Sequence, residues 1–92
     1  MKRSEIFAVL AAVMKETQVL SGRVWRPLDG KAKPIGALDG FDSLCGLEAT
    51  LMLEEKLGCS FGDDSVFVSS DGKRALTVDQ ITDRIAGQVS AE

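Results

Sequence analysis

Residues 38–58 read LDGFDSLCGLEATLMLEEKLG, and this stretch decides the fold. From Asp42 onward, apolar residues recur at helical spacing, and no proline interrupts them before Gly58. The pattern predicts a helix over about 43–57. Ser43 then lies in the first turn of that helix, where unpaired backbone N–H groups and the helix dipole favour bound anions.

This helix has two apolar sides. At about 100° per residue, the side expected to face the core consists of Ala49, Thr50, Leu53 and Leu57. The other side consists of Leu44, Leu47 and Leu51, with Glu48 and Glu55 beside them. Because one apolar stripe is enough to bury a helix, the second stripe indicates a surface for a partner. The alternative is a helix that is buried on most of its circumference.

The same stretch resembles helix II of an acyl carrier protein. That family has D-S-L, a glutamate five residues after the serine, then L-E-E and a large apolar residue. The matching residues here, without a gap, are Asp42-Ser43-Leu44, Glu48, Leu53-Glu54-Glu55 and Leu57. A D-S-L triplet alone is a weak signal, because three common residues recur by chance. The fixed spacing over 16 residues is far more specific. The similarity covers roughly residues 38–90, and the first helix matches only in kind.

The resemblance implies a carrier protein of fatty-acid or related lipid biosynthesis. A separate transferase would attach 4′-phosphopantetheine from coenzyme A to Ser43, and the thiol of that arm would hold an acyl group as a thioester. Asp42 would help to position the transferase and its metal. The docking face for acyl-loading and acyl-using enzymes with basic patches would consist of Leu44, Leu47, Glu48, Leu51 and Glu55.

Length and helical periodicity predict one all-α domain over residues 1–92. We expect a small, acyl-carrier-like bundle of three main helices plus a short third helix, with a long first loop. The expected elements are a helix at about 4–19, a loop at 21–41, and helices at about 43–57, 64–68 and 78–89. The last helix has the clearest start, because Thr77 and Gln80 form a capping box.

Charge is distributed unevenly along the chain, whose net charge is −3. Residues 42–92 carry ten acidic and four basic side chains, whereas residues 1–41 carry four acidic and seven basic ones. The acidic half argues against nucleic acid as a partner and suits basic proteins. No stretch approaches the roughly 20 apolar residues of a membrane span, and no signal peptide is expected. We expect a cytoplasmic monomer.

Catalysis by Ser43 itself is not expected. A nucleophilic serine needs a base within hydrogen-bond reach, normally histidine, and the chain contains no histidine. Cys45 and Cys59 lack metal-type spacing, so no metal site is expected either. Cys45 is interpreted as a small side chain near a helix start. Ser43 is therefore interpreted as a site that other enzymes modify; the resemblance implies that the protein is a carrier, and we do not expect it to be an enzyme.

The first loop, 21–41, is long for a compact domain. Its apolar residues are expected to cover one end of the bundle, and they are Val24, Trp25, Leu28, Ile35 and Leu38. Trp25 is interpreted as a structural plug, with contact to a partner or acyl chain as the alternative. Residues 69–75, SSDGKRA, look like an insertion when their spacing is compared with that usual in carrier proteins.

Gly46 is unfavourable for a helix interior, where glycine costs about 1 kcal/mol relative to alanine. One hypothesis is that this glycine leaves room for the prosthetic arm or an acyl chain to enter between helices. The other interpretation is simple tolerance of glycine at this position.

Three functions remain open at this stage. The first is a general acyl carrier, and the second is a specialised carrier for polyketide, envelope-lipid or lipopolysaccharide acylation. The third is an unmodified helical module that binds a partner through the leucines. Acyl cargo and partner enzymes cannot be chosen from the residues alone.

Overall fold

Three long helices pack around one apolar core in the computed structural model, which describes residues 1–62 and 64–90. In chain order the helices are α1 (Arg3–Leu20), α2 (Pro34–Ala37), α3 (Ser43–Leu57) and α4 (Val78–Ser90). The predicted all-α bundle is confirmed, and the three long helices lie close to their predicted ranges. α2 is a short turn within the predicted first loop. Over the described ranges, no helix has both the length and the apolar character needed to cross a bilayer.

α1 and α3 pack side by side in antiparallel directions. Glu16 Oε2 lies 3.8 Å from Lys56 Nζ, and Thr17 Oγ1 lies 3.7 Å from Met52 Sδ. Residue numbers therefore rise along α1 while they fall along α3. The start of α3 consequently lies beside the end of α1, which is where the first loop also leaves α1.

The two sides of α3 differ in exposure as the sequence predicts. Ala49, Thr50 and Leu53 are buried, and Leu57 is half-buried against the core. The exposed fractions on the other side are 62% for Leu44, 44% for Leu47 and 63% for Leu51. The alternative of a helix buried around most of its circumference is therefore wrong. We call Leu44, Leu47 and Leu51 the leucine stripe.

The capping box at the start of α4 is confirmed. The Gln80 N–H donates to Thr77 Oγ1 at 3.2 Å, and the Thr77 N–H donates to Gln80 Oε1 at 2.9 Å. Two backbone donors that a helix start would leave without partners are thereby satisfied. The helix can begin at Val78 because of this local pair.

The prediction of a short third helix at about 64–68 is wrong. The structure has turns in this segment, followed by an isolated bridge between Val68 and Ala75. The Val66 N–H donates to Thr50 Oγ1 on α3 at 3.2 Å, so this backbone donor is used outside any local helix. The bridge closes residues 69–75, the predicted insertion, into a compact turn.

Arg84 on α4 also holds the segment at 64–68 in its non-helical shape. Its Nη1 donates to the carbonyl of Ser65 at 3.1 Å and to the carbonyl of Val68 at 2.6 Å. Carbonyls that would accept intrahelical bonds are instead bound by a side chain from a different element. Contacts from α3 and α4 therefore override the local helical preference.

The first loop covers one end of the bundle with most of its apolar residues. Leu38 is buried, and Trp25, Leu28 and Ile35 are half-buried against the core, as predicted. The prediction is wrong for Val24, whose side chain has an exposed fraction of 68%. The backbone carbonyl of Val24 accepts a 2.8 Å bond from the buried Gln18 Nε2, so the carbonyl and not the side chain anchors this residue.

Replacing Thr50 by valine should lower the free energy of unfolding by about 1–3 kcal/mol, because the Val66 N–H would lose its buried acceptor. The side chain keeps its shape, so the change isolates the hydroxyl. Urea unfolding followed by far-UV circular dichroism measures the effect.

Thr82→Val is the matched control for this prediction. Thr82 is equally buried, but its hydroxyl donates only to the Val78 carbonyl within α4, at 2.8 Å. Loss of the Thr82 hydroxyl should lower the free energy of unfolding by less than about 1 kcal/mol, because no backbone donor is left without a partner. Equal losses for the two variants would contradict the role given to Thr50.

Candidate functional site

Ser43 is the first residue of α3, and its side chain is exposed. Asp42 precedes it as the N-cap, and Asp42 Oδ1 accepts a hydrogen bond from the Cys45 N–H at 3.0 Å. Aspartate is a preferred N-cap residue because it satisfies such a donor. Within the described ranges, the Ser43 hydroxyl makes no hydrogen bond. The hydroxyl is therefore open to a reagent supplied from outside.

The carboxyl group of Asp42 is held in its charged form. The hydrogen bond from the Cys45 N–H lowers the pKa of Asp42 below its ordinary value of 3.8, and the Cys45 thiol, the Leu44 N–H and the positive charge of Arg23 add to this effect. Asp42 is therefore anionic at neutral pH. A fixed negative charge lies next to the Ser43 hydroxyl.

Arg23 fastens the chain just before α3. Its guanidinium donates to the Gly40 carbonyl, and its Nη1 lies 3.2 Å from Cys45 Sγ. Gly40 has φ +65°, and a Cβ there would come 2.6 Å from Arg23 Nε, so only glycine fits. The sequence shows that residues 1–41 are basic, but it does not predict this role, since no local pattern links Arg23 to Gly40.

Arg23 and Arg26 border an open groove of about 610 Å³ along residues 36–42. Arg26 Nη2 donates to the Ala37 carbonyl at 2.9 Å. Cys45 follows Ser43 by two positions, which places their side chains about 200° apart around the helix. Arg23 therefore approaches α3 from the side opposite to Ser43, while the groove itself extends to Asp42, directly before Ser43.

A shallow, mainly apolar pocket lies on the same side of α3 as Ser43. It has a volume of about 270 Å³ and extends from α3 to Gly62 and Asp64. Leu47, one turn after Ser43, is one wall, and Leu51 and Glu54 continue the lining along the helix. A flexible chain attached to Ser43 would meet this surface first.

The leucine stripe and two exposed carboxylates form one continuous surface on α3. Glu48 and Glu55 are exposed, and at about 100° per residue they lie on the same side of the helix as the leucines. Glu54 differs, since it is half-buried and its Oε2 accepts a 2.7 Å bond from the Phe61 N–H. The five predicted docking residues are thus brought together on the surface of one helix.

Gly46 is explained by close packing. A Cβ at this position would lie 3.3 Å from Phe67 Cβ and 3.3 Å from Ser65 Oγ, which is tighter than ordinary van der Waals contact. The space beside Gly46 is filled by the segment at 65–67. The hypothesis of a passage between helices at Gly46 therefore finds no support in the structure.

No protein-family model, curated protein or solved structure matches this chain. The similarity to acyl carrier proteins thus remains a resemblance, centred on residues 42–57.

The charge on Asp42 should make stability depend on pH in the acid range. Because the pKa of Asp42 is lowered in the folded state, its contribution is present at pH values above the unfolded pKa and is lost as pH falls through the folded pKa. Asp42→Asn keeps a capping oxygen but removes the charge. The stability difference between wild type and this variant should be constant from pH 7 to about pH 5 and should shrink below about pH 4.

Urea unfolding at a series of pH values measures this difference. Glu48→Gln serves as the control, because it removes a carboxylate from the exposed side of the same helix without touching the cap. A loss of stability in Asp42→Asn that is the same at pH 3 and pH 7 would contradict a role for the charge.

Proposed function

We propose that this protein is an acyl carrier protein that bears 4′-phosphopantetheine on Ser43 and presents acyl thioesters to enzymes of fatty-acid or related lipid biosynthesis. The observation that carries the proposal is an exposed serine hydroxyl at the capped start of a helix whose exposed side bears the leucine stripe. This hydroxyl has no hydrogen-bond partner among the residues that the structure describes. The resemblance of residues 42–57 to carrier proteins supports the same interpretation.

The chemistry of attachment would come from a separate transferase. The Ser43 oxygen forms a bond to phosphorus, the pyrophosphate linkage of coenzyme A breaks, and the nucleotide portion leaves with the other phosphate. The serine proton passes to a base of the transferase, since this chain contains no histidine. Asp42, which is anionic and adjacent, offers an oxygen ligand for the metal of that enzyme.

The product of this step would be stabilised modestly by the carrier. A phosphodiester on Ser43 lies at the positive end of α3, which is worth about 0.3–1 kcal/mol. The apolar pocket beside Leu47 provides contact for the arm or the beginning of its cargo. In this proposal the thiol that carries the acyl group belongs to the arm and not to Cys45, which is buried, or Cys59, which is half-buried.

Partner enzymes would dock on the α3 surface. Leu44, Leu47 and Leu51 offer apolar contact, while Glu48 and Glu55 attract basic patches and accelerate association. Such contacts depend on salt and release quickly. Rapid release is what a carrier that visits several enzymes requires.

An unmodified interaction module is the second candidate function. The exposure of all three leucines favours it, because a large apolar surface on a helix is typical of protein binding with or without modification. Specialised carriers for polyketide, envelope-lipid or lipopolysaccharide acylation fall within the first proposal. The two candidate functions differ in whether Ser43 is covalently modified.

Incubation with coenzyme A, magnesium and a broad-specificity phosphopantetheinyl transferase should add one phosphopantetheine to the protein. Intact-mass spectrometry measures the addition, and Ser43→Ala should abolish it. Ser4→Ala is the matched control, because Ser4 is also an exposed serine in the first turn of a helix. Absence of any addition to the wild type would favour the interaction module.

Neutralising the two docking glutamates should slow this modification. Glu48→Gln combined with Glu55→Gln should lower kcat/KM of the transferase by about two- to tenfold at low salt, with a smaller effect at high salt. The control, Asp79→Asn with Asp83→Asn, removes the same charge near Arg3, at the far end of α1 from Ser43. Equal effects of the two double variants would refute a local docking role.

A further inference from the structure

The α3 surface borders a second helix, α1, at the pocket that Glu16 and Glu55 share. We propose that Leu20, at the end of α1, belongs to the docking surface, so that a partner enzyme with an apolar pocket and a basic rim contacts α1 and α3 together. This inference rests on the proposed carrier function and adds to it a residue outside the stretch that resembles carrier proteins. It assigns a role to the most exposed of the large apolar side chains, whose exposed fraction is 76%.

The side of α1 that borders the leucine stripe is identified by contacts between the helices. Glu16 pairs with Lys56, and Glu16, Met52 and Glu55 line one shallow pocket between α1 and α3. Glu55 lies on the same side of α3 as the leucine stripe. Glu16 therefore marks the edge of α1 that is next to the docking surface.

Leu20 lies on the same edge of α1. It follows Glu16 by four residues, which places the two side chains one above the other on a helix. It is about 6 Å further along the axis, at 1.5 Å per residue. Because the helices are antiparallel, this displacement runs from Glu55 toward Glu48 and the start of α3.

Val19 provides an internal comparison. It precedes Leu20 directly, has an exposed fraction of 59%, and points about 100° away around the helix. Thr17, which contacts Met52 on α3, lies about 60° around the helix from Leu20 but about 160° from Val19, so Val19 points away from α3. Two neighbouring apolar residues of similar exposure are thus distinguished only by which side of α1 they occupy.

The charges around Leu20 determine the kind of partner that fits. Glu16, Glu48 and Glu55 lie along the same two-helix surface, and Lys56 is the basic residue paired with Glu16. An apolar centre with an acidic margin matches a protein surface with an apolar pocket and a basic rim. A second copy of this chain would bring the glutamates against each other, so self-association is disfavoured.

The test compares Leu20→Gln with Val19→Gln, using a broad-specificity phosphopantetheinyl transferase as the partner. Leu20→Gln should raise KM for the carrier by roughly five- to tenfold with kcat unchanged, because it removes binding energy without touching Ser43. Val19→Gln should change KM by less than about twofold. Equal KM values for the two variants would overturn the proposal.

Direct binding separates this inference from the carrier function itself. The same two substitutions are placed in the Ser43→Ala protein, which cannot be modified, and titration calorimetry measures Kd for the transferase. Weaker binding caused only by Leu20→Gln supports the two-helix surface even if the attachment site were misassigned. Binding that is unaffected by Leu20→Gln overturns it even if Ser43 is modified normally. A transferase that neither binds nor modifies the wild type overturns both proposals.

Discussion

The side-chain amide of Gln18 holds together the two ends of the first loop. Its Nε2 donates to the carbonyls of Val24 and Asp39, each at 2.8 Å, and the side chain is fully buried. Its Oε1 has no hydrogen-bond partner among the described residues, and a buried acceptor of this kind costs about 1–3 kcal/mol. A leucine would avoid that cost but could not bind two carbonyls. The two bonds from Gln18 Nε2 therefore help to position the start of α3, while the unpaired Oε1 lowers the stability of the fold.

The residues that α3 buries in the core determine which of its residues remain exposed to a partner. The segment at 65–67 and α1 cover the side of Gly46, Thr50 and Leu53. The leucine stripe is left with no counterpart in the described part of the chain. Full burial of a leucine is worth about 1.5–3 kcal/mol, so this helix retains binding free energy that folding has not used. The amount suits weak, reversible contacts better than permanent ones, because association costs offset much of it.

The sequence predicts α3 and α4 because their signals are local, namely apolar periodicity without proline and a capping box. The segment at 64–68 was mispredicted because its shape is decided by distant residues. Thr50 accepts from its backbone and Arg84 binds its carbonyls, and no short sequence window contains these partners. The exposed leucines and Ser43 were predictable from helix geometry alone. The role of Arg23 was not, since it depends on how the first loop turns back toward α3.

In the proposed carrier, the electrostatic balance at Ser43 explains why an attached arm would stay mobile. The helix dipole attracts a phosphodiester by about 0.3–1 kcal/mol, but the anionic Asp42 beside it opposes that attraction. Arg23, which contacts Cys45 on the other side of α3, is already bound to the Gly40 carbonyl. The carboxylate opposes the dipole, so the electrostatic hold of the carrier on the arm is weaker than the dipole alone would give. An arm held this weakly can enter the active site of whichever enzyme docks on the leucine stripe, and the selection of partners then depends on that surface and not on Ser43.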